Sequence, residues 1–255
     1  MLLPGLVSVT FRPLAPAQII ALVQRAGLRG IEWGGDIHVP HGELGRAREV
    51  GRQTVDAGLT VAAYGSYYNA GHSETAGLPF DRVLDTAVAL GAPVIRVWAG
   101  TAGSAATDAA GRRQVVADLV RIAGLAARAG VRVAAEFHGG TLTDSNASAV
   151  RLLAEADQAN FYSYWQPALG LTEAECTAGL KAIGPRLSHV HVYHWQGAQQ
   201  RRPLAEGAAA WAGYLHLAAT VPGDRFALLE FVEADAPENF LRDAATLKTW
   251  LAELS

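Results

Sequence analysis

Lysine is almost missing from this chain: among 255 residues and 21 basic side chains only Lys181 and Lys248 are lysines. Both fall in helical stretches on the far side of the expected fold, which argues against Schiff-base chemistry. Cys176 is the one cysteine, so no intramolecular disulfide can form, and the count suits a reducing, cytoplasmic compartment. It lies in a helical run and reads as packing. There is no excess of positive charge: the formal net charge is -3, which does not favour a nucleic-acid partner. No apolar run is long enough for a membrane span, and the opening MLLPGLVSVTFRPLAP lacks the basic start of a signal peptide. No linker-like or low-complexity segment divides the chain, so residues 1–255 read as one domain.

What is present is a strand followed by a helix, repeated. Strands are expected at Leu6–Phe11, Gly30–Trp33, Thr60–Tyr64, Val94–Trp98, Val131–Phe137, Asn160–Gln166, Leu187–His194 and Arg225–Val232. Between and after them lie helical patterns at Pro16–Ala26, Glu43–Ala57, Phe80–Leu90, Thr107–Ala129, Ala147–Ala156, Glu173–Ile183, Ala208–Ala219 and Pro237–Leu254. Eight such units in an α/β chain of this length predict a single-domain (β/α)8 TIM barrel. A doubly wound sheet would carry a glycine-rich phosphate turn after its first strand, where this chain reads TFRPLAP.

The stretch VRVAAEFHGGTLTDS, residues 131–145, anchors the functional reading. Strand alternation puts Glu136 and His138 on one face at the carboxyl end, and Gly139–Gly140 turns the backbone beyond it. In such barrels chemistry sits at the carboxyl ends of strands; the other reading is a buried glutamate with a local partner. On strand seven, LSHVHVYHW, His189 and His191 share the inward face; the deeper His189 reads as hydrogen-bonded core and His191 as a metal ligand. Gln166 aligns with Tyr162 and Tyr164 on strand six, and Glu230 with Phe226 and Leu228 on strand eight. Glu136, Gln166, His191 and Glu230 thus converge as a mixed oxygen and nitrogen set. That donor chemistry suits one divalent ion such as Mn, Mg, Co or Zn.

His38, His72 and His194 also fall at strand carboxyl ends or in the following loops, as do Trp98 and Trp165. Flat indole faces suit the C–H faces of a sugar ring, although tryptophan also plugs barrel mouths. Arg201 and Arg202 either bind hydroxyls or a phosphate, or form a solvated surface pair. Arg96, within strand four, pairs with an inward glutamate such as Glu32.

At this point the chain resembles the xylose isomerase-like TIM-barrel superfamily, the sugar-phosphate isomerase/epimerase group. The likeness spans nearly the whole chain and is carried by GIEWGGDIHVPHG (residues 30–42), YGSYYNAG (64–71), EFHGGTLTDS (136–145), YWQP (164–167), HVHVYHW (189–195) and the Glu230 strand. It implies one divalent ion held by Glu136, His191 and Glu230. The family's strand-six aspartate is Gln166 here, and the histidine three residues on, common in ketose epimerases, is Leu169. It also implies proton transfer next to a carbonyl through an enediolate, with Glu136 and Glu230 as the proton carriers and a small sugar as substrate. Glu32, His38, His72, Trp98, His138, Trp165, His194 and Arg201 are then candidate substrate-binding residues. Alternatives on the same scaffold are an inosose dehydratase-like lyase and a non-catalytic sugar-binding protein with a degenerate metal site. A DNA phosphodiesterase of the endonuclease IV type needs a three-metal cluster with more His and Asp ligands than this chain retains. A homodimer is a further expectation.

Overall fold

The computed structural model describes residues 1–168, 170–197 and 200–254. Eight parallel strands close into a barrel: β1 (Leu2–Val7), β2 (Gly30–Gly34), β3 (Thr60–Asn69), β4 (Val94–Trp98), β5 (Arg132–Ala135), β6 (Phe161–Trp165), β7 (Leu187–Val192) and β8 (Arg225–Leu229). Each strand pairs with its sequence neighbours, and β1 closes the ring on β8 in the register Leu2–Arg225 to Leu6–Leu229. Outside it run α1 (Pro16–Ala26), α2 (Leu44–Asp56), α3 (Phe80–Leu90), α4 (Ala109–Arg128), α5 (Asn146–Ala156), α6 (Glu173–Ile183), α7 (Ala208–Thr220) and α8 (Pro237–Ala252). The chain is therefore a (β/α)8 TIM barrel. Among the described residues no helix is long and apolar enough to cross a membrane.

The core has two parts, as a barrel requires. Outward-facing strand residues such as Ile31, Val133 and Val190 pack under the helices, while Val7, Ala62, Ala134, Tyr164, Phe226 and Leu228 fill the lumen. Small residues face large ones. A Cβ on Gly30 would stand 2.5 Å from the Phe226 ring, so glycine is what lets that ring cross the barrel floor. Above it lies His189, whose Nε2 faces the Ala62 carbonyl (3.2 Å) and whose Nδ1 accepts from the Phe226 amide (3.2 Å). Burial lowers its pKa to about 4, so His189 is a neutral core residue.

The first strand departs from the sequence expectation. It runs from Leu2 to Val7, and Ser8–Phe11 forms a 3₁₀ turn rather than its second half. Pro4 and Gly5 read as strand breakers, yet the Pro4 carbonyl still accepts from the Arg29 amide (2.8 Å). The Ser8 hydroxyl accepts the Gly34 amide (2.9 Å), which ties the turn to the end of β2. The earlier start places Arg12 at the barrel mouth.

Candidate active site

Six strands deliver one polar cluster to the carboxyl end of the barrel. Glu32 comes from β2, Arg96 from β4, Glu136 from just past β5, Gln166 from just past β6, His191 from β7 and Glu230 from just past β8. None of the six is more than 8 % exposed, so each charge has to be met by its neighbours. The Arg96 Nε donates to Glu32 Oε1 (2.6 Å), and its Nη1 donates to Glu136 Oε2. The Trp98 indole N–H donates to the same Glu136 oxygen (2.6 Å). Burial works to raise both carboxyls, but Arg96 and His191 outweigh it, holding Glu32 at about 2 and Glu136 well below the usual carboxylate range.

The other Glu136 oxygen faces the His191 ring. Around His191 Nδ1 stand Gln166 Oε1 at 3.1 Å, Glu230 Oε2 at 3.5 Å and Glu136 Oε1 at 3.6 Å. Glu136, His191 and Glu230 each offer a ligand atom within 4.8 Å of the others and form a group that could hold a metal ion. Adjacent ligands of an ion with bonds of about 2.1 Å stand about 3.0 Å apart in octahedral and about 3.4 Å apart in tetrahedral geometry, close to these spacings. The Gln166 amide is oriented by the backbone: its Nε2 donates to the Phe137 carbonyl (2.7 Å), which turns Oε1 to the cluster. On the far side of the imidazole, His191 Nε2 and Glu32 Oε2 face each other at 3.5 Å, and neither has another described partner. Glu32 thus stands where a carboxylate orients a ligating histidine by accepting its second N–H.

Electrostatics separate the two glutamates that face His191 Nδ1. Glu230 lacks the arginine and indole that hold Glu136, and among the described residues its one ion-pair contact is His191. Burial, opposed by His191 and reinforced by the negative Glu136, raises Glu230 to about 7. Burial alone would lower His191, but Glu230, Glu136 and Glu32 together raise it to about 10. The pattern has a simple charge explanation. With a neutral imidazole, three carboxylates and one guanidinium leave two negative charges uncompensated in a buried site. Protons on His191 and Glu230 cancel them, and so would one divalent cation. The donor set, the spacings and the charge balance all fit such an ion.

A cavity of about 440 Å³ opens above the cluster, walled by Tyr67, Trp98, His138, Tyr193, Trp195 and Phe231, with Glu136, Gln166 and Glu230 at its floor. Trp98 and His138 stack with centroids 4.8 Å apart. Tyr67 and Phe231 hold left-handed backbone angles (φ 54° and 53°), each costing about 1–2 kcal/mol for a non-glycine residue. For Tyr67 the cause is visible: the β3–β4 register shifts between Gly65 and Tyr68, and this bulge turns the Tyr67 ring over the Arg96 guanidinium (5.0 Å).

Of the candidate substrate-binding residues, Trp98 and His138 line this cavity, and the others are placed elsewhere. Glu32 is fully buried beneath it, a support rather than a wall. His38 is buried, with Nδ1 on the Ser8 hydroxyl (2.9 Å) and its ring edge-on to Trp33. His72 belongs to a separate shallow cavity beside Gly100–Ala102. Trp165 points outward and packs on Trp211 and Tyr214, because it alternates with the inward Tyr164 and Gln166. The His194 ring lies against Gly207, where a Cβ would meet its Nδ1 at 2.7 Å. Arg201 borders a neighbouring cavity and pairs with Asp235, whereas Arg202 is held by Glu206 on the surface (2.9 Å). Leu169 lies outside the described residues. Arg12, Tyr67, Asp144, Tyr193 and Phe231 line the cavity without having been among the sequence candidates.

No curated protein matches the sequence. Solved structures do match the fold. The probable 3-DHS dehydratase AsbF of Bacillus anthracis superposes with a TM-score of 0.84 at 21% identity, covering 97% of this chain and 99% of that one. A xylose isomerase-like TIM barrel protein from Mycobacterium smegmatis, solved in complex with magnesium, gives 0.77 at 16% identity over 100% and 98%. The 3-keto-D-glucoside 4-epimerase YcjR of E. coli, in its apo form, gives 0.73 at 20% identity over 98% and 100%. Identities this low speak for the fold alone. The family model for xylose isomerase-like TIM barrels, however, matches residues 20–250. On that match and the closed eight-stranded barrel, the chain belongs to the xylose isomerase-like TIM barrel family.

Proposed function

We propose that this protein is a metal-dependent enzyme of the sugar isomerase/epimerase class, moving a proton next to the carbonyl of a small polyhydroxylated substrate. The observation that supports it most is the convergence of Glu136, Gln166, His191 and Glu230 at the floor of an aromatic-walled cavity, with Glu230 paired, among the described residues, with His191 alone. Glu136 Oε1, Gln166 Oε1, His191 Nδ1 and Glu230 would hold the ion. When bound, it would polarise the carbonyl and the neighbouring hydroxyl of the substrate.

The chain's own residues do the rest. Glu230 removes the proton from the carbon beside the carbonyl, giving an enediolate, and returns it from its carboxylic acid form. Trp98, Trp195 and Phe231 wall the cavity in which that transfer takes place. Glu136 is a poor second carrier: one of its oxygens is held by Arg96 and Trp98, and the other is directed at the ion site. A site with one mobile proton carrier favours returning the proton on the same face, either to the adjacent carbon or to a departing hydroxyl. The first outcome is isomerisation and the second is dehydration. The likeness to the probable 3-DHS dehydratase accords with dehydration and the likeness to the 3-keto-D-glucoside 4-epimerase with epimerisation, so the choice among these outcomes rests on the carboxylates of the site.

The test is incubation of the Mn²⁺-loaded protein with a panel of ketoses and cyclic keto-polyols in D₂O. Deuterium at the carbon next to the carbonyl is the expected result, with a product one water lighter marking the dehydratase outcome. Absence of exchange across the panel would contradict the proposal.

Metal uptake should also release protons. With His191 raised to about 10 and Glu230 to about 7, binding one divalent ion at pH 7 is expected to free between about one and two protons. Calorimetric titration in buffers of different ionisation heat reads this number directly. The same shifts set the stability of the chelated protein. His191 is raised above its unfolded value, so its contribution is complete below about pH 6.5 and is lost as pH rises through about 10. Glu230 is raised too, and adds a penalty that grows between about pH 4.5 and 7. The chelated protein should therefore melt at lower temperature as pH rises, and Mn²⁺ should offset the loss.

A further inference from the structure

A second cavity of about 520 Å³ adjoins the first at the barrel mouth, and nothing in the chemistry above uses it. The two share Arg12 and Phe231 as their common wall. The second is bounded by Leu14 and Pro237 on its apolar side and by Arg12, Arg201 and Asp235 on its polar side. Each arginine carries its own carboxylate: Arg12 pairs with Asp36, and Arg201 with Asp235. Asp36 lies outside the lining but compensates Arg12, so both guanidiniums are paired, and the wall offers donors from Arg12 and Arg201 beside acceptors from Asp235. Sugar hydroxyls, which donate and accept at once, match such paired forks, whereas a phosphate or carboxylate would call for an uncompensated guanidinium. The aromatic wall supplies the remaining element, since Phe231 stands between the cavities with Arg201 over its ring (4.6 Å) and Trp195 beyond (6.1 Å). The loop that carries this wall is built unusually: Phe231, Ala234 and Asp235 are all left-handed without being glycine (φ 53°, 56° and 50°).

We propose that the second cavity is a subsite for an uncharged second ring, so that the preferred substrate is a two-unit, glycoside-sized carbonyl sugar with its reacting unit over Glu230 and its other unit between Arg12 and Arg201. This rests on the sugar reading given above, and the test keeps the two apart. Binding of monosaccharides (glucose, fructose, galactose), of their disaccharides (cellobiose, maltose, lactose, sucrose) and of glucose 6-phosphate is measured on the Mn²⁺-loaded protein by saturation-transfer NMR and calorimetry. At least one disaccharide is expected to bind about tenfold more tightly than its component units. Arg201→Ala and Asp235→Ala should each bring that disaccharide down to the level of its component units. Equal affinity for one-unit and two-unit sugars, or a disaccharide preference that survives both substitutions, overturns the subsite and leaves the sugar reading standing. Tighter binding of the sugar phosphate, lost in Arg201→Ala, overturns the uncharged occupant. Failure of every monosaccharide and disaccharide to bind overturns both readings.

Discussion

Glu230→Gln is expected to slow proton exchange by about 10²–10⁴-fold while the protein still takes up close to one divalent ion per chain. The amide keeps a carbonyl oxygen for the ion, as Gln166 does, but has no site that can take a proton from carbon. Glu136→Gln should fail differently. Its amide would meet Arg96 and Trp98, two donors that need an anionic oxygen, so metal uptake should weaken before the chemical step does. Measuring the deuterium exchange rate and the metal content of both variants separates the proton carrier from the ligand. A Glu230→Gln enzyme exchanging within about threefold of the unchanged protein would remove Glu230 from that role.

Arg96→Ala is expected to destabilise the fold by about 3–5 kcal/mol, the usual effect of stripping a buried charge of its partner. Two carboxylates depend on this one guanidinium, and neither reaches solvent to compensate. The pH dependence follows from Glu32. Its folded pKa of about 2 lies below the unfolded value, so its stabilisation is present above about pH 4.5 and is lost as pH falls through about 2. The gap between Arg96→Ala and the unchanged protein should therefore be widest near neutrality and narrow through that acid window. Chemical denaturation across this pH range, with chelator present for both proteins, reads the gap. A loss below about 1 kcal/mol at pH 7 would mean that the carboxylates are met by something other than Arg96.

How much of this could be read in the chain depends on which physical signal each residue carries. The repeat of strand and helix was legible because α3 and α6 have clear apolar faces, and α3 ends on a left-handed glycine, Gly91. The floor of the site was legible because Glu136, Gln166, His191 and Glu230 keep the alternation of the strands that lead into them. Alternation also explains Trp165, which shares no parity with Gln166 and had to face outward. His38 and His194 sit beyond strand ends, where no period fixes direction, and both turned into local packing. Arg12 escaped notice because Pro4 and Gly5 hide the start of β1, and a strand placed four residues late leaves the mouth of the barrel in the wrong segment. The left-handed turns at Tyr67 and Phe231 left no mark at all, since neither residue is one that favours that conformation.

The account turns on four side chains gripping one ion. A crystal grown with Mn²⁺ and measured for its anomalous signal tests this most directly. One ion is expected within about 2.0–2.3 Å of Glu136, Gln166 Oε1, His191 Nδ1 and Glu230. An occupied ion elsewhere on the protein, or an empty barrel mouth at saturating Mn²⁺, would contradict it.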